Sequence, residues 1–236
     1  MQNRVPDLES AVAAYRNVIA LFEKISPHCP QAILARMNLC ICVAREGKFA
    51  EAARELEEVD AERRLTLGEN NLYAVSSAAL HSILDFARGD YARVVQEAPV
   101  ALEFYVAHEP ASNRNVVQLR GLYGLALTRT GHAKEGEPYL RAAYRDGQKT
   151  ERFAFTNTFG NVESALGECL DAQARYAEAE PLLLAGYADL KTRLGESHPL
   201  SQAAAARLAT MYSAWQKPAE AARFASRPTI TVRPGQ

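Results

Sequence analysis

An all-α, right-handed superhelical solenoid of about five helix hairpins is the fold class this sequence predicts, and three observations carry the prediction. The first is a repeat. Gly47-Lys48-Phe49-Ala50-Glu51-Ala52 is echoed by Gly89-Asp90-Tyr91-Ala92-Arg93-Val94, by Gly131-His132-Ala133-Lys134-Glu135-Gly136, by Ala174-Arg175-Tyr176-Ala177-Glu178-Ala179 and by Gln216-Lys217-Pro218-Ala219-Glu220-Ala221. The anchors Phe49, Tyr91, Ala133, Tyr176 and Pro218 stand 42, 42, 43 and 42 residues apart, a period that marks stacked supersecondary units. The second is periodicity. The fourth interval holds Val162, Leu166 and Leu170, then Ala179, Leu183, Tyr187 and Leu190, two apolar rows at helical spacing separated by a short turn. The third is composition: 42 of the 236 residues are Ala, the strongest helix former.

The elements follow in order. Asp7 to Ser26 reads as a second helix with no first helix before it. Its row Ala11, Tyr15, Val18 and Phe22 is expected to fray or to pair with another copy, because an open repeat end needs a cap. Leu8-Glu9-Ser10-Ala11, 41 residues before Phe49, looks like an earlier copy of the repeat. Five hairpins then follow. Pro138 and Pro181 fall near the first turn of a second helix, where a missing N–H costs little. Ala52, Gly136, Ala179 and Ala221 sit where the two helices of a hairpin approach closely, so large side chains there would push them apart. The last unit stops after Ala225. Arg227 to Gln236 has two prolines and no apolar period. The expected organisation is therefore one array over 1–226 and a flexible tail over 227–236.

Composition removes several function classes. The formal net charge is −1, without the basic excess of a nucleic-acid binder. Hydrophobic residues make up 48% and charged residues 23%, ordinary globular usage. No apolar run approaches the ~18 residues of a membrane span, and MQNRVPDLES is not a secretory leader. Cys29, Cys40, Cys42 and Cys169 form neither a disulfide framework nor a zinc spacing. A cytoplasmic setting is expected. Arg outnumbers Lys by 21 to 6, which with the Ala excess is a bias of GC-rich bacterial genomes.

The residues Leu166-Gly167-Glu168-Cys169-Leu170, Arg175-Tyr176-Ala177-Glu178-Ala179-Glu180-Pro181-Leu182 and Arg193-Leu194-Gly195-Glu196-Ser197-His198-Pro199, followed by Leu208-Ala209 to Tyr212 and Ala219-Glu220-Ala221, resemble the tetratricopeptide repeat in the 42-residue form of the kinesin light chains. The stretch from about Phe159 to Phe224 is also similar to the tetratricopeptide tail of bacterial serine/threonine protein kinases. At fold level the resemblance spans roughly 7–226. It implies that the first helix of each hairpin lines a concave side. No kinase catalytic motif is present. Cargo recognition does not carry over from the kinesin light chains, because the Asn-Asn pairs of their grooves are mostly absent. The carboxylate clamp of chaperone-tail binders is disfavoured too, with Met37 and Ile41 where Lys and Asn would be needed.

No catalytic constellation emerges. Gly195-Glu196-Ser197-His198-Pro199 lacks the last glycine and the strand of a nucleophile elbow. Cys40 and Cys42 point in different directions on a helix and read as small buried residues. Trp215 reads as a packing residue. The five histidines fall mostly at turns, without ligand spacing. No catalytic residue, cofactor or metal is expected.

The groove is where residue chemistry suggests function. Taking i, i+3, i+7 and i+10 on each first helix gives Leu34, Met37, Ile41 and Ala44. The next rows are Val75, Ala78, Ser82 and Asp85, then Gln118, Gly121, Leu125 and Thr128 with Arg120 and Arg129 adjacent. Asn161, Ser164, Glu168 and Asp171 follow, then Ala203, Ala206, Thr210 and Ser213. The candidate groove residues are Asp85, Gln118, Arg129, Asn161, Ser164, Glu168 and Asp171. Glu168 and Asp171, one turn apart, repel and would welcome a basic group from a partner. The function expected is a non-catalytic protein–protein interaction scaffold binding a peptide or partner protein in its groove. The alternative is a regulatory or sensor segment of a larger signalling protein, a serine/threonine kinase or transcription regulator. No nucleic acid or membrane partner is expected; self-association through the N-terminal helix is the alternative to its fraying.

Overall fold

The computed structural model describes residues 8–26, 29–46, 48–69, 71–149 and 157–225. Among them are eleven α-helices and no strand. The expected tail 227–236 lies outside the described residues. The chain divides into two compact units, Met1–His108 and Glu109–Gln236.

In the first unit, α1 (Leu8–Ile25) packs on α2 (Pro30–Arg45), α2 forms a hairpin with α3 (Phe49–Leu67), and α4 (Leu72–Arg88) forms one with α5 (Tyr91–His108). Val12, Ile33, Met37, Cys40, Leu56, Val59, Leu80 and Leu84 form its core. The row of α1 that meets this core is Val12 with Ala11, Tyr15 and Ile19. The expected Val18 is instead 40% exposed, in line with Leu21 at 57% and Ile25 at 70%. Ala11 and Tyr15 of the expected row thus meet the core, and Val12 and Ile19 join them in place of Val18. Burial pushes the Cys40 thiol up to about 12, which keeps it an inert core residue, as expected.

The second unit contains α6 (Arg114–Arg129) paired with α7 (Ala133–Gly147), α8 (Asn157–Asp171) with α9 (Tyr176–Leu194), and α10 (Pro199–Ala214) with the short α11 (Pro218–Phe224). Ala179 is wholly buried and Gly136 lies against the Gly124 carbonyl of α6, so these two small residues stand at the close approach within their hairpins. A Cβ on Gly167 would meet the Leu183 Cγ at 2.5 Å. Pro138 and Pro181 each occupy the sixth residue of their helix. Trp215 packs: its ring stacks on Tyr176 with centroids 5.7 Å apart, and the Lys217 ammonium lies 3.2 Å over it.

The turns define the register between hairpins. A residue in the left-handed region closes four of them: Gly89 (φ 82°), Gly131 (φ 88°), Ala174 (φ 58°) and Gln216 (φ 58°). The next N–H then reaches back five residues, as at a helix C-terminus of the Schellman type. These bonds are Asp90 N to Asp85 O at 2.9 Å, His132 N to Leu127 O at 2.8 Å, Arg175 N to Leu170 O at 3.0 Å and Lys217 N to Tyr212 O at 2.8 Å; Lys48 N to Val43 O at 3.3 Å is the corresponding bond after α2. Val43, Asp85, Leu127, Leu170 and Tyr212 are therefore equivalent positions, and all five are buried.

Candidate functional site

Asp85 consequently does not belong to an open groove. It is 3% exposed and occupies the place that apolar side chains or a tyrosine fill in the other hairpins. Its carboxylate meets Arg93 at 3.4 Å and Arg88 at 3.9 Å. Burial still raises its pKa, with the Arg93 charge pulling the other way. Ser82 is equally buried and donates to the Ala78 carbonyl at 2.9 Å. The row on α4 equivalent to Leu34, Met37, Ile41 and Ala44 is one residue further on: Ser76, Ala79, Ile83 and Phe86, all half-buried. The signal was present, since 42 residues beyond Leu34 is Ser76.

On α6 the expected row is largely internal. Gly121, Leu125 and Thr128 are buried, and a Cβ on Gly121 would touch Val162 Cγ2 of α8 at 3.0 Å. Gln118 is half-buried. On α8, Asn161 is half-buried and Ser164 is wholly buried. On α10, Ala203, Ala206, Thr210 and Ser213 are all exposed.

Four charged residues from three helices converge at one pocket of about 300 Å³, lined by Arg129, Glu168, Asp171, Ala203, Ala206, Arg207 and Thr210. Arg129, the last residue of α6, donates from Nε to Glu168 Oε1 at 2.8 Å and from Nη2 to Oε2 at 3.2 Å. This is the fork-to-fork geometry that makes Arg–carboxylate pairs strong. Arg207 of α10 forms a second ion pair with Glu168 Oε2 and donates from Nη1 to Ser164 Oγ at 2.8 Å. Burial pushes the Glu168 carboxyl up, but the bonds from Arg129 and the charge of Arg207 outweigh it and hold it below its usual range. Glu168 thus ties three first helices together, and the expected mutual repulsion with Asp171 is not what governs it.

Asp171 differs. It ends α8, half-buried, one turn beyond Glu168. Burial raises its pKa, and the Glu168 charge adds to the rise. No arginine or lysine pairs with it among the described residues. Sequence reasoning found Arg129, Glu168, Ser164 and Asp171 but not Arg207, whose position between Ala206 and Leu208 carries no motif.

A second polar cluster, in the first unit, was also missed. His81 of α4 lies 2.9 Å from Asp60 Oδ2 of α3, and Arg63 Nε donates to Asp60 Oδ1 at 3.1 Å. An ionised carboxylate only accepts, so His81 Nε2 carries the proton. Burial pushes Asp60 up, yet these hydrogen bonds bring it down to about 2. Asp60 is 6% exposed, and the cluster joins two hairpins. Among the described residues, no group of His, Cys, Asp and Glu could hold a metal ion, and no helix is long and apolar enough to cross a membrane.

Helix hairpins closed by a common turn and repeated at 42–43 residues define a tetratricopeptide-type repeat fold. Solved structures agree. BtubC (BKLC) from P. vanneervenii superposes with a TM-score of 0.64 at 14% identity, over 92% of this chain and 88% of that one. A putative kinesin light chain of Podosopora anserina, built of nearly identical TPR-like repeats, gives 0.60 at 20% identity over 83% and 92%. A Rap protein complexed with competence and sporulation factor gives 0.65 at 16% identity, over 94% of this chain and 65% of that one. No protein-family model and no curated protein matches the sequence. Nothing in these comparisons bears on a kinase connection.

Proposed function

We propose that the chain is a non-catalytic interaction scaffold that holds a peptide, or an extended segment of a partner protein, against α6, α8 and α10. The pocket at Arg129, Glu168, Asp171 and Ala206 carries this reading. Three helices from three successive hairpins contribute to it, so its shape is set by repeat stacking rather than by a loop. The Ala203, Ala206 and Thr210 side of α10 leaves room beside charged groups already fixed in place by Arg129 and Arg207. Preorganised polar groups beside open apolar surface are what a peptide site needs. The Rap chain, of the same fold, is complexed with competence and sporulation factor, which supports a ligand-holding role for such arrays.

The test is capture of partners by the chain and by Ala206→Trp, which fills the pocket from an exposed position. A partner retained by the parent and lost by the variant, at unchanged helicity and melting temperature, fits the reading. Equal capture by both contradicts it.

The row Val18, Leu21 and Ile25 favours a second contact, self-association through α1. Light scattering over a hundredfold dilution checks this. Mass should fall with dilution, and Leu21→Lys should give a monomer throughout; a monomer at every concentration of the parent removes the reading.

A further inference from the structure

The charges around the pocket are unevenly matched. Arg129 and Arg207 are both engaged by Glu168, and Arg207 is further tied to the buried Ser164 hydroxyl. Asp171 lines the same pocket as both arginines but forms no ion pair with them or with any other cation among the described residues. Arg129 could turn to Asp171 only by breaking its fork to Glu168, and Arg207 only by leaving both Glu168 and the buried Ser164 hydroxyl. What the pocket lacks is therefore one positive charge at Asp171. Its facing wall is Ala203, Ala206 and Thr210, which offers methyl groups along about two turns of α10. Methyl wall and carboxylate together match a side chain with an aliphatic stem and a cationic head.

Resting on the reading of α6, α8 and α10 as the peptide face, we infer that the partner places a lysine or arginine here. Its stem lies along Ala203, Ala206 and Thr210, and its head meets the Asp171 carboxylate. A carboxylate ligand would have to displace Glu168 from two arginines and would face Asp171 at close range. An uncharged apolar side chain would leave Asp171 shielded from water and unpaired.

The experiment uses the full chain and blocked pentapeptides Ac-Ala-Ala-X-Ala-Ala-amide, with X as lysine, arginine, citrulline, norleucine or glutamate. Amide shifts are followed by NMR. The lysine and arginine peptides should give saturable shifts clustered at Asp171, Ala203, Ala206 and Thr210. The citrulline and norleucine peptides should bind at least tenfold more weakly. Asp171→Asn should weaken the basic peptides at least tenfold while leaving the spectrum otherwise native. Three results overturn the inference: no saturable shifts with either basic peptide, equal binding to Asp171→Asn, or the glutamate peptide binding as well as the lysine one. Loss of partner capture by Ala206→Trp alongside any of these would leave the scaffold reading standing and remove only the basic residue.

Discussion

Asp85 and Asp171 are aspartates in the last turn of a first helix, and the structure uses them in opposite ways. Asp85, three residues before the end of α4, faces inward and meets Arg93 from α5. Asp171, the final residue of α8, faces the pocket and meets no cation. One position of register separates them. Counted from the turn-closing hydrogen bond, Asp85 matches Leu170, and Asp171 matches Phe86. On a helix that single residue is a rotation of ~100°, enough to turn a core position into a groove position. In a repeat protein the role of a residue is thus set by its distance from the turn, and residue type is read only after that.

The most disruptive way to sharpen this comparison is Leu170→Asp. It puts a carboxylate at the place of Asp85 in a hairpin where Tyr176 and Glu178 stand in place of Tyr91 and Arg93. An uncompensated buried charge should cost about 3–5 kcal/mol, read as a lower denaturant midpoint. A loss under 1 kcal/mol would mean that the two positions are not equivalent.

Close approach within the hairpin comes next. Val94 fills the position of Ala179 in the α4–α5 hairpin, and both are wholly buried. The α8–α9 hairpin, with Gly167 against Leu183, has no space to spare. Ala179→Leu should destabilise by about 1–3 kcal/mol through overpacking, and an unchanged thermal melt would place the hairpin contact elsewhere.

Two buried carboxyls, one in each unit, should also answer pH in opposite directions. In the first, Asp60 has its pKa lowered to about 2. Its stabilisation is full above the unfolded value of ~3.9 and is lost as pH falls towards 2. In the second, Glu163 of α8 is buried and faces Asp189 of α9; burial first, and the Asp189 charge second, raise it to about 7. A raised carboxyl works the other way: its protonated form is favoured by folding, and stability falls as pH rises from the unfolded value of ~4.3 through 7. Glu163→Gln should therefore gain about 1–3 kcal/mol over the parent at pH 8 and nothing at pH 4. Asp60→Asn should lose a similar amount at pH 7, with the deficit closing near pH 2. Melts of both variants across pH check the signs.

Smallest of all is the effect of Asp171→Asn on stability. With no cation to lose and a repelling neighbour removed, the melt should move by under ~0.5 kcal/mol. A large loss would reveal a structural partner and remove Asp171 from the candidate site.

Much of this was legible beforehand. Anchors at a constant period located all five hairpins and the small residues at their crossings, because the turn and the close approach each tolerate few residue types. Glu168 and Asp171 were legible as groove candidates from the row count on the fourth unit, and Arg129 as the neighbour of the third unit's row. Two things were not. The row on α4 was counted one residue early because Val75, Ala78 and Ser82 are small or apolar and made an acceptable row, although the period itself pointed to Ser76. The pairing of Glu168 with Arg207 spans 39 residues, and a contact between separate hairpins leaves no local pattern. The His81–Asp60 cluster was hidden for the same reason.

The central claim is that the proposed partner is held at the pocket on α6, α8 and α10 and not at the corresponding row of α4, whose Ser76, Ala79, Ile83 and Phe86 carry no charge. Ala206 and Ala79 are equivalent positions, one on each face, when counted from the turn. A photo-crosslinking residue placed at each, followed by irradiation with the captured partner, separates them. The account predicts a partner adduct at position 206 and at most a trace at position 79. An adduct of equal yield at both, or one at 79 alone, would contradict it.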